Sequence, residues 1–269
     1  MVKFLRRWLK DFDITIVGDS AYSVINFGLT CLAYNIRLIA PLRLDAALYE
    51  DVAIKVGTQM GRPRLKGKRE PTIEKRISDS ATLWNQTTVR WYGTKERSVE
   101  YFSGTSLWYH SGMKPLPIRW VVVKTDGNSN EVKAFFSTNQ NDTPESIIER
   151  MVRRWSLETT FEEVRCHLGF ETQRQWSDKA IERQSPCILS LYSLVVLFAH
   201  SLDPHHLINP KSSAWYQNTE PTFSDLLATV RSKLWEVNTF SMSHLEGDSI
   251  KIPRNIIDSL IRSACYAYS

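Results

Sequence analysis

Cysteine is scarce and unpaired in this chain of 269 residues. The four thiols, Cys31, Cys166, Cys187 and Cys265, never stand in Cys-x2-Cys spacing. That excludes a disulfide framework and a cysteine-rich zinc site, and it points to a reducing cytoplasm. His205-His206 beside Pro204 has no third ligand at zinc spacing. There is no Gly-x-Ser-x-Gly elbow, no Walker-type phosphate loop and no dinucleotide fingerprint, so serine hydrolysis and nucleotide binding of those kinds lack support. Long apolar runs are also missing. The longest, Ile188 to Ala199, is short for a membrane span, is interrupted by Ser190, Tyr192 and Ser193, and reads as a buried helix. Met1 to Phe12 is basic without an apolar stretch, unlike a signal peptide. No membrane partner is expected.

What is present is ordinary in hydrophobic content (42%) and charged content (23%), with a net charge of +5 that favours a polyanionic partner. The order of patterns divides the chain into four pieces. Residues 1–44 hold a strand, a helix and a second strand: Ile14 to Val17, Ser23 to Tyr34 and Arg37 to Leu42. Residues 45–137 begin as a basic, aperiodic stretch and continue as short strands near 87–92, 98–102, 106–109, 118–123 and 132–136, with Gly93, Gly104, Gly112 and Gly127 as turn signals. The last two of these strands fit either an insertion or the core sheet. Residues 138–200 and 201–269 are helical, with helices near 143–169, 186–200, 223–237 and 256–268.

Two acids stand out. In the 143–169 segment, Ile148, Met151, Trp155 and Phe161 recur at the spacing of one buried helical face. Glu158 falls on that face, where a carboxylate has to be paired, protonated or bound to metal. Arg154 lies one turn before it and Arg165 two turns after it, and an i,i+4 pair with Arg154 is the plain structural alternative. Asp19 closes the β-rich run Ile14-Thr15-Ile16-Val17-Gly18. This is the end of a strand at which open α/β sheets bind ligands.

Taken together, Met151, Arg154, Glu158 and Arg165 stand at the spacings of a Tyr-x2-Arg-x3-Glu-x6-Lys signature. Ile16 to Tyr22 also matches the strand that carries a second catalytic aspartate. On these residues the chain resembles insertion-sequence transposases of the DDE type, in the cut-and-paste branch, over about residues 13–200. Arg154 and Glu158 agree by identity and Arg165 keeps the charge, while Met151 lacks the tyrosine hydroxyl.

The resemblance implies an α/β, ribonuclease-H-like catalytic core with its first strands absent, a β-rich insertion and a helical C-terminal region. It implies that Asp19 and Glu158 are metal ligands, with two Mg²⁺ ions in the complete site, and that Arg154 and Arg165 orient Glu158 or meet phosphate. Only eighteen residues precede Asp19, too few for the family's first aspartate and its strand. The chain is therefore expected to be a truncated version that does not cleave DNA by itself. It is expected to leave Ile14–Val17 as an open edge of a sheet reduced towards two strands. Its expected partners are double-stranded DNA and full-length transposase or a missing amino-terminal piece, on the nucleoid in the cytoplasm. A regulatory fragment that binds without catalysis is the alternative.

Two further features bear on DNA. The stretch Gly61 to Arg69 carries Arg62, Arg64, Lys66, Lys68 and Arg69, and its Gly-Arg-Pro-Arg core resembles a minor-groove hook. It reads as a solvated loop or as a phosphate contact. Nine tryptophans are present; those in the strand-rich block read mainly as core, whereas Trp176 follows polar residues and is assigned either to core or cap packing or to a DNA-facing surface.

Overall fold

The structure, a computed structural model, describes residues 1–52, 64–91, 96–125, 132–172, 174, 176–202, 210, 221–241 and 253–266. It divides into two compact units, Met1–Ser156 and Leu157–Ser269.

In the first unit, β-branched runs become strands and the helices cover both faces of one sheet. A short helix α1 (Val2–Trp8) leads to β1 (Ile14–Val17), helix α2 (Ile25–Ala33) and β2 (Ile36–Pro41). β1 and β2 pair in parallel, Ile14 opposite Ile36 and Val17 opposite Ile39, with α2 as the crossover that parallel pairing demands. Then come β3 (Leu48–Tyr49), α3 (Ile73–Ser78), β4 (Asn85–Arg90), β5 (Glu96–Trp108), β6 (Leu116–Thr125), β7 (Val132–Ser137) and helix α4 (Pro144–Arg153). Among the described residues seven strands run in the order β1-β2-β7-β6-β5-β3, with β4 also on β5; every pair of them except β1–β2 is antiparallel.

The sheet is therefore not reduced towards two strands. β6 and β7 belong to the sheet that holds β1 and β2, because β7 pairs with β2 through Ile39–Ser137 and Pro41–Phe135. Side-chain alternation separates two cores. Ile36, Leu38, Ile118, Trp120, Val122 and Phe136 face α2 and Ile25. Ile39, Val121 and Val123 face the other way, onto Ile147, Ile148 and Met151 of α4. Thr143 caps α4 by accepting the Ser146 amide at 3.3 Å, and Pro144 occupies its first turn.

Gly104 is no turn. It sits inside β5, where a Cβ would come within 2.6 Å of the Trp120 ring, so its missing side chain makes room for that indole. Gly112 is a turn residue, with φ of 83°; Gly93 and Gly127 lie outside the described residues.

β1 is the edge of the sheet, and among the described residues it pairs with β2 alone. The Gly18 amide donates to the Ile39 carbonyl at 2.9 Å. Strand alternation then points the Ile16 amide at β2 and the Thr15 and Val17 amides at the open side. Hydrogen exchange on the monomeric chain should show Ile16 and Gly18 protected and Thr15 and Val17 unprotected. Protection of Thr15 and Val17 would mean that another segment completes the edge.

The unit boundary falls in the first turn of α5 (Trp155–Leu168); the second unit holds the rest of that helix with α6 (Asp178–Leu202), α7 (Phe223–Ser241) and α8 (Arg254–Tyr266). Val195 and Ala199 of α6 pack on Phe223, Leu227 and Val230 of α7. Asp225, 1% exposed, accepts hydrogen bonds from the Thr222 amide and hydroxyl at 2.8 Å and from the Tyr266 hydroxyl at 2.7 Å, which ties α7 to α8. Burial and that bond to Asp225 push the Tyr266 phenol well above its ordinary value.

The 188–199 stretch is not a buried helix. It is the second half of α6, and Leu191, Leu194, Leu197 and Phe198 are exposed. By length and composition α6 is also apolar enough to cross a membrane. Pro186, which favours a helix start, lies inside it instead.

Candidate functional site

Asp19 is placed by the end of β1. Gly18 is buried, and a Cβ on it would come within 2.8 Å of the Tyr22 Cβ, so the chain folds tightly into the 3-10 turn Ser20–Tyr22. Asp19 caps that turn: its Oδ1 accepts the Ala21 amide at 2.9 Å, and the residue is exposed. The Ser23 hydroxyl donates to the Pro41 carbonyl at 2.6 Å and holds the turn against the end of β2. Asp19 thus stands just beyond the carboxyl ends of the two parallel strands, the place in an α/β sheet where ligands gather.

Glu158 is not on a buried face. The helix expected over 143–169 divides at Arg154, whose amide reaches back three residues to the Met151 carbonyl at 3.2 Å. Ile147, Ile148 and Met151 are buried by α4, but Trp155 is 47% and Leu157 56% exposed, and Glu158, in the first turn of α5, is exposed as well. The apolar stripe of α4 ends where the helix ends. A carboxylate in a first helical turn gains from the positive helix end and needs no burial. Neither Arg154 nor Glu158 is without a partner. Arg165 forks onto Glu171, with Nε–Oε2 at 2.6 Å and a second bond at 3.1 Å, and holds that carboxyl below its ordinary value.

Asp19 therefore belongs to the first unit and Glu158 to the second. Among the described residues no three His, Cys, Asp or Glu side chains are grouped as a metal site. A two-ion magnesium centre needs several hard oxygen ligands around each ion. Within either unit the described donors do not form such a set.

The basic stretch has more structure than its composition suggests. Residues 67–70 run antiparallel to Leu48–Glu50. The Glu50 amide donates to the Lys68 carbonyl, the Gly67 amide to the Glu50 carbonyl and the Glu70 amide to the Leu48 carbonyl, each at 2.9 Å. Tyr49 bridges to Arg69. Arg64, Lys68 and Arg69 are exposed. Lys66 is not: its ammonium lies 3.7 Å from the Tyr49 ring centroid and 3.8 Å from that of Tyr109. Arg62 lies outside the described residues. The tyrosine clamp escaped sequence reasoning because its three residues come from three separate elements.

Trp176 is 97% exposed and so contributes nothing to a core. By contrast Trp84, Trp108 and Trp120 pack against Phe102 and Phe136 inside the first unit. The buried Cys31 thiol is pushed up to about 11 by burial, which leaves it unreactive.

Comparison of the chain with protein-family models and with curated proteins gives no match. The fold and the site thus define a mixed α/β protein whose seven-stranded sheet carries an exposed basic segment.

Proposed function

We propose that the chain binds double-stranded nucleic acid through its phosphates, as a transposase-type protein that does not cut DNA on its own. One observation carries this: Lys68 and Arg69 project from a segment bonded to the sheet, with the exposed Arg64 a few residues before them, on a chain of net charge +5. Cations fixed on a rigid support neutralise phosphates without reading sequence.

The transposase part of the proposal rests on the Arg154-x3-Glu158-x6-Arg165 spacing and on Asp19 beyond the parallel pair β1–β2. In that reading the first unit is a ribonuclease-H-like core with an inserted β-rich segment, and Asp19 and Glu158 are carboxylates for Mg²⁺. The described donors fall short of a two-ion site, so no cleavage step follows from them. The proposed partners are duplex DNA and a second, catalytic transposase chain, which would put this protein on the nucleoid.

The test uses the full chain and two unrelated duplexes of equal length. Their dissociation constants should agree within about threefold, since phosphate contacts ignore base identity. With Mg²⁺ or Mn²⁺ added, both should stay intact. A preference of about 10³-fold or more for one duplex would overturn the sequence-independent mode. Metal-dependent cutting that Glu158→Gln abolishes would overturn the absence of catalysis.

A further inference from the structure

Four of the basic residues expected to meet DNA fall on the described part of the stretch, but they are not equivalent. Lys66 sits between two aromatic faces, Tyr49 at 3.7 Å and Tyr109 at 3.8 Å, and those rings meet edge to face with centroids 5.8 Å apart. An ammonium held against two ring faces is attracted to both, and Lys66 is partly buried where Arg64, Lys68 and Arg69 are exposed. Immediately after it, Gly67 passes so close to the chain that a Cβ would stand 2.7 Å from the Asp51 carbonyl oxygen and 2.8 Å from that of Glu50. These are backbone atoms, which cannot swing aside. Beyond Gly67, Glu70 is drawn into the sheet, accepting bonds from the Ser106 hydroxyl at 2.9 Å and from Arg76 at 2.6 Å. The segment is thus fastened at 66, 67 and 70, and Lys68 and Arg69 lie between the fastenings.

We propose that residues 66–70 form a pre-organised phosphate rail in which Lys66 is the anchor, held by the Tyr49–Tyr109 clamp, and Lys68 and Arg69 are the cations offered to the nucleic-acid backbone, with the exposed Arg64 beside them. The proposal rests on the DNA-binding reading for its partner, but the anchor stands on geometry alone. Pre-organisation matters because a loop ordered only on binding loses affinity to its own ordering entropy. Lys66 therefore acts through its neighbours as a positioning residue.

The experiment has two arms on the full chain. The first needs no DNA. Trypsin should cut after Lys68 and Arg69 slowly in the wild type and at least about tenfold faster in Lys66→Met and in the Tyr49→Leu, Tyr109→Leu pair, because local opening exposes the segment. Equal rates would overturn the anchor. The second arm measures anisotropy of a labelled duplex across a salt series. Lys66→Met should lower affinity several-fold with the salt slope unchanged, because no phosphate contact is lost. The leucine pair should do the same, and combining it with Lys66→Met should add little further loss. Phenylalanine at both positions keeps the ring faces and should recover most of the lost affinity. A slope that falls by about 0.9 in Lys66→Met, with the leucine pair neutral, would make Lys66 a phosphate contact and overturn the proposal. A wild type that resists trypsin but binds no duplex would sink the DNA-binding reading and leave the anchor standing.

Discussion

Replacing Trp120 with alanine should cost the first unit about 3–5 kcal/mol, the range for emptying a buried aromatic site. Trp120 is 1% exposed in the middle of β6. Its ring meets Phe102 edge to face at 5.8 Å, and Phe102 meets Trp84 in the same way at 4.8 Å. Gly104 on β5 leaves the space that the indole fills, so alanine at 120 opens a cavity there. The indole N–H donates to the Ser106 hydroxyl at 2.9 Å, and that hydroxyl in turn donates to Glu70. Phenylalanine at 120 keeps most of the packing and loses this bond, and should cost about 1 kcal/mol plus the smaller volume change. Urea unfolding followed by far-ultraviolet circular dichroism reads both changes. A loss under about 1.5 kcal/mol for Trp120→Ala would mean that the sheet repacks around the gap. The same variant should loosen the basic segment, since Glu70 shares Ser106 with Trp120.

The strands were legible because their signals are local. The run Ile14 to Val17, the helix that follows and the run near 37–42 emerge as β1, α2 and β2 with boundaries shifted by a residue or two. The strand-rich block is strand-rich for the same reason, as apolar alternation marks β4 to β7, although the strands expected at 98–102 and 106–109 are one strand, β5. What failed depended on tertiary contact. Gly104 looked like a turn; only the ring of Trp120 across the sheet explains why the strand runs through it. The helix at 143–169 divides at Arg154, with no Pro or Gly to announce it, so the apolar face carried forward to Glu158 was an extrapolation past a helix end. Ile188 to Ala199 reads as buried from hydropathy alone, yet hydropathy does not tell which side of α6 meets a neighbour. Of the site, Asp19 was legible as a strand-end acid, and the basic stretch was legible as charge. Its attachment to Tyr49 and Tyr109 was not, because a cation held by rings from distant elements leaves no pattern in sequence.

The salt dependence of duplex binding follows from the same attachment and carries the second large effect. Three exposed cations, Arg64, Lys68 and Arg69, stand close together, and Lys68 and Arg69 are held against Leu48–Glu50. Each phosphate neutralised releases condensed counterions and contributes about −0.9 to the slope of log affinity against log salt, so these three give about −2.7. A fourfold rise in salt then lowers affinity roughly 40-fold. Converting all three to glutamine should flatten the slope by that amount, and should do so equally on unrelated duplexes. The most direct test of DNA binding by this chain is therefore that slope, measured for the wild type and for the Arg64→Gln, Lys68→Gln, Arg69→Gln variant on one duplex. A steep wild-type slope that flattens by about 2.7 in the variant is the predicted result. An unchanged slope would return residues 64–69 to a solvated surface and contradict the account.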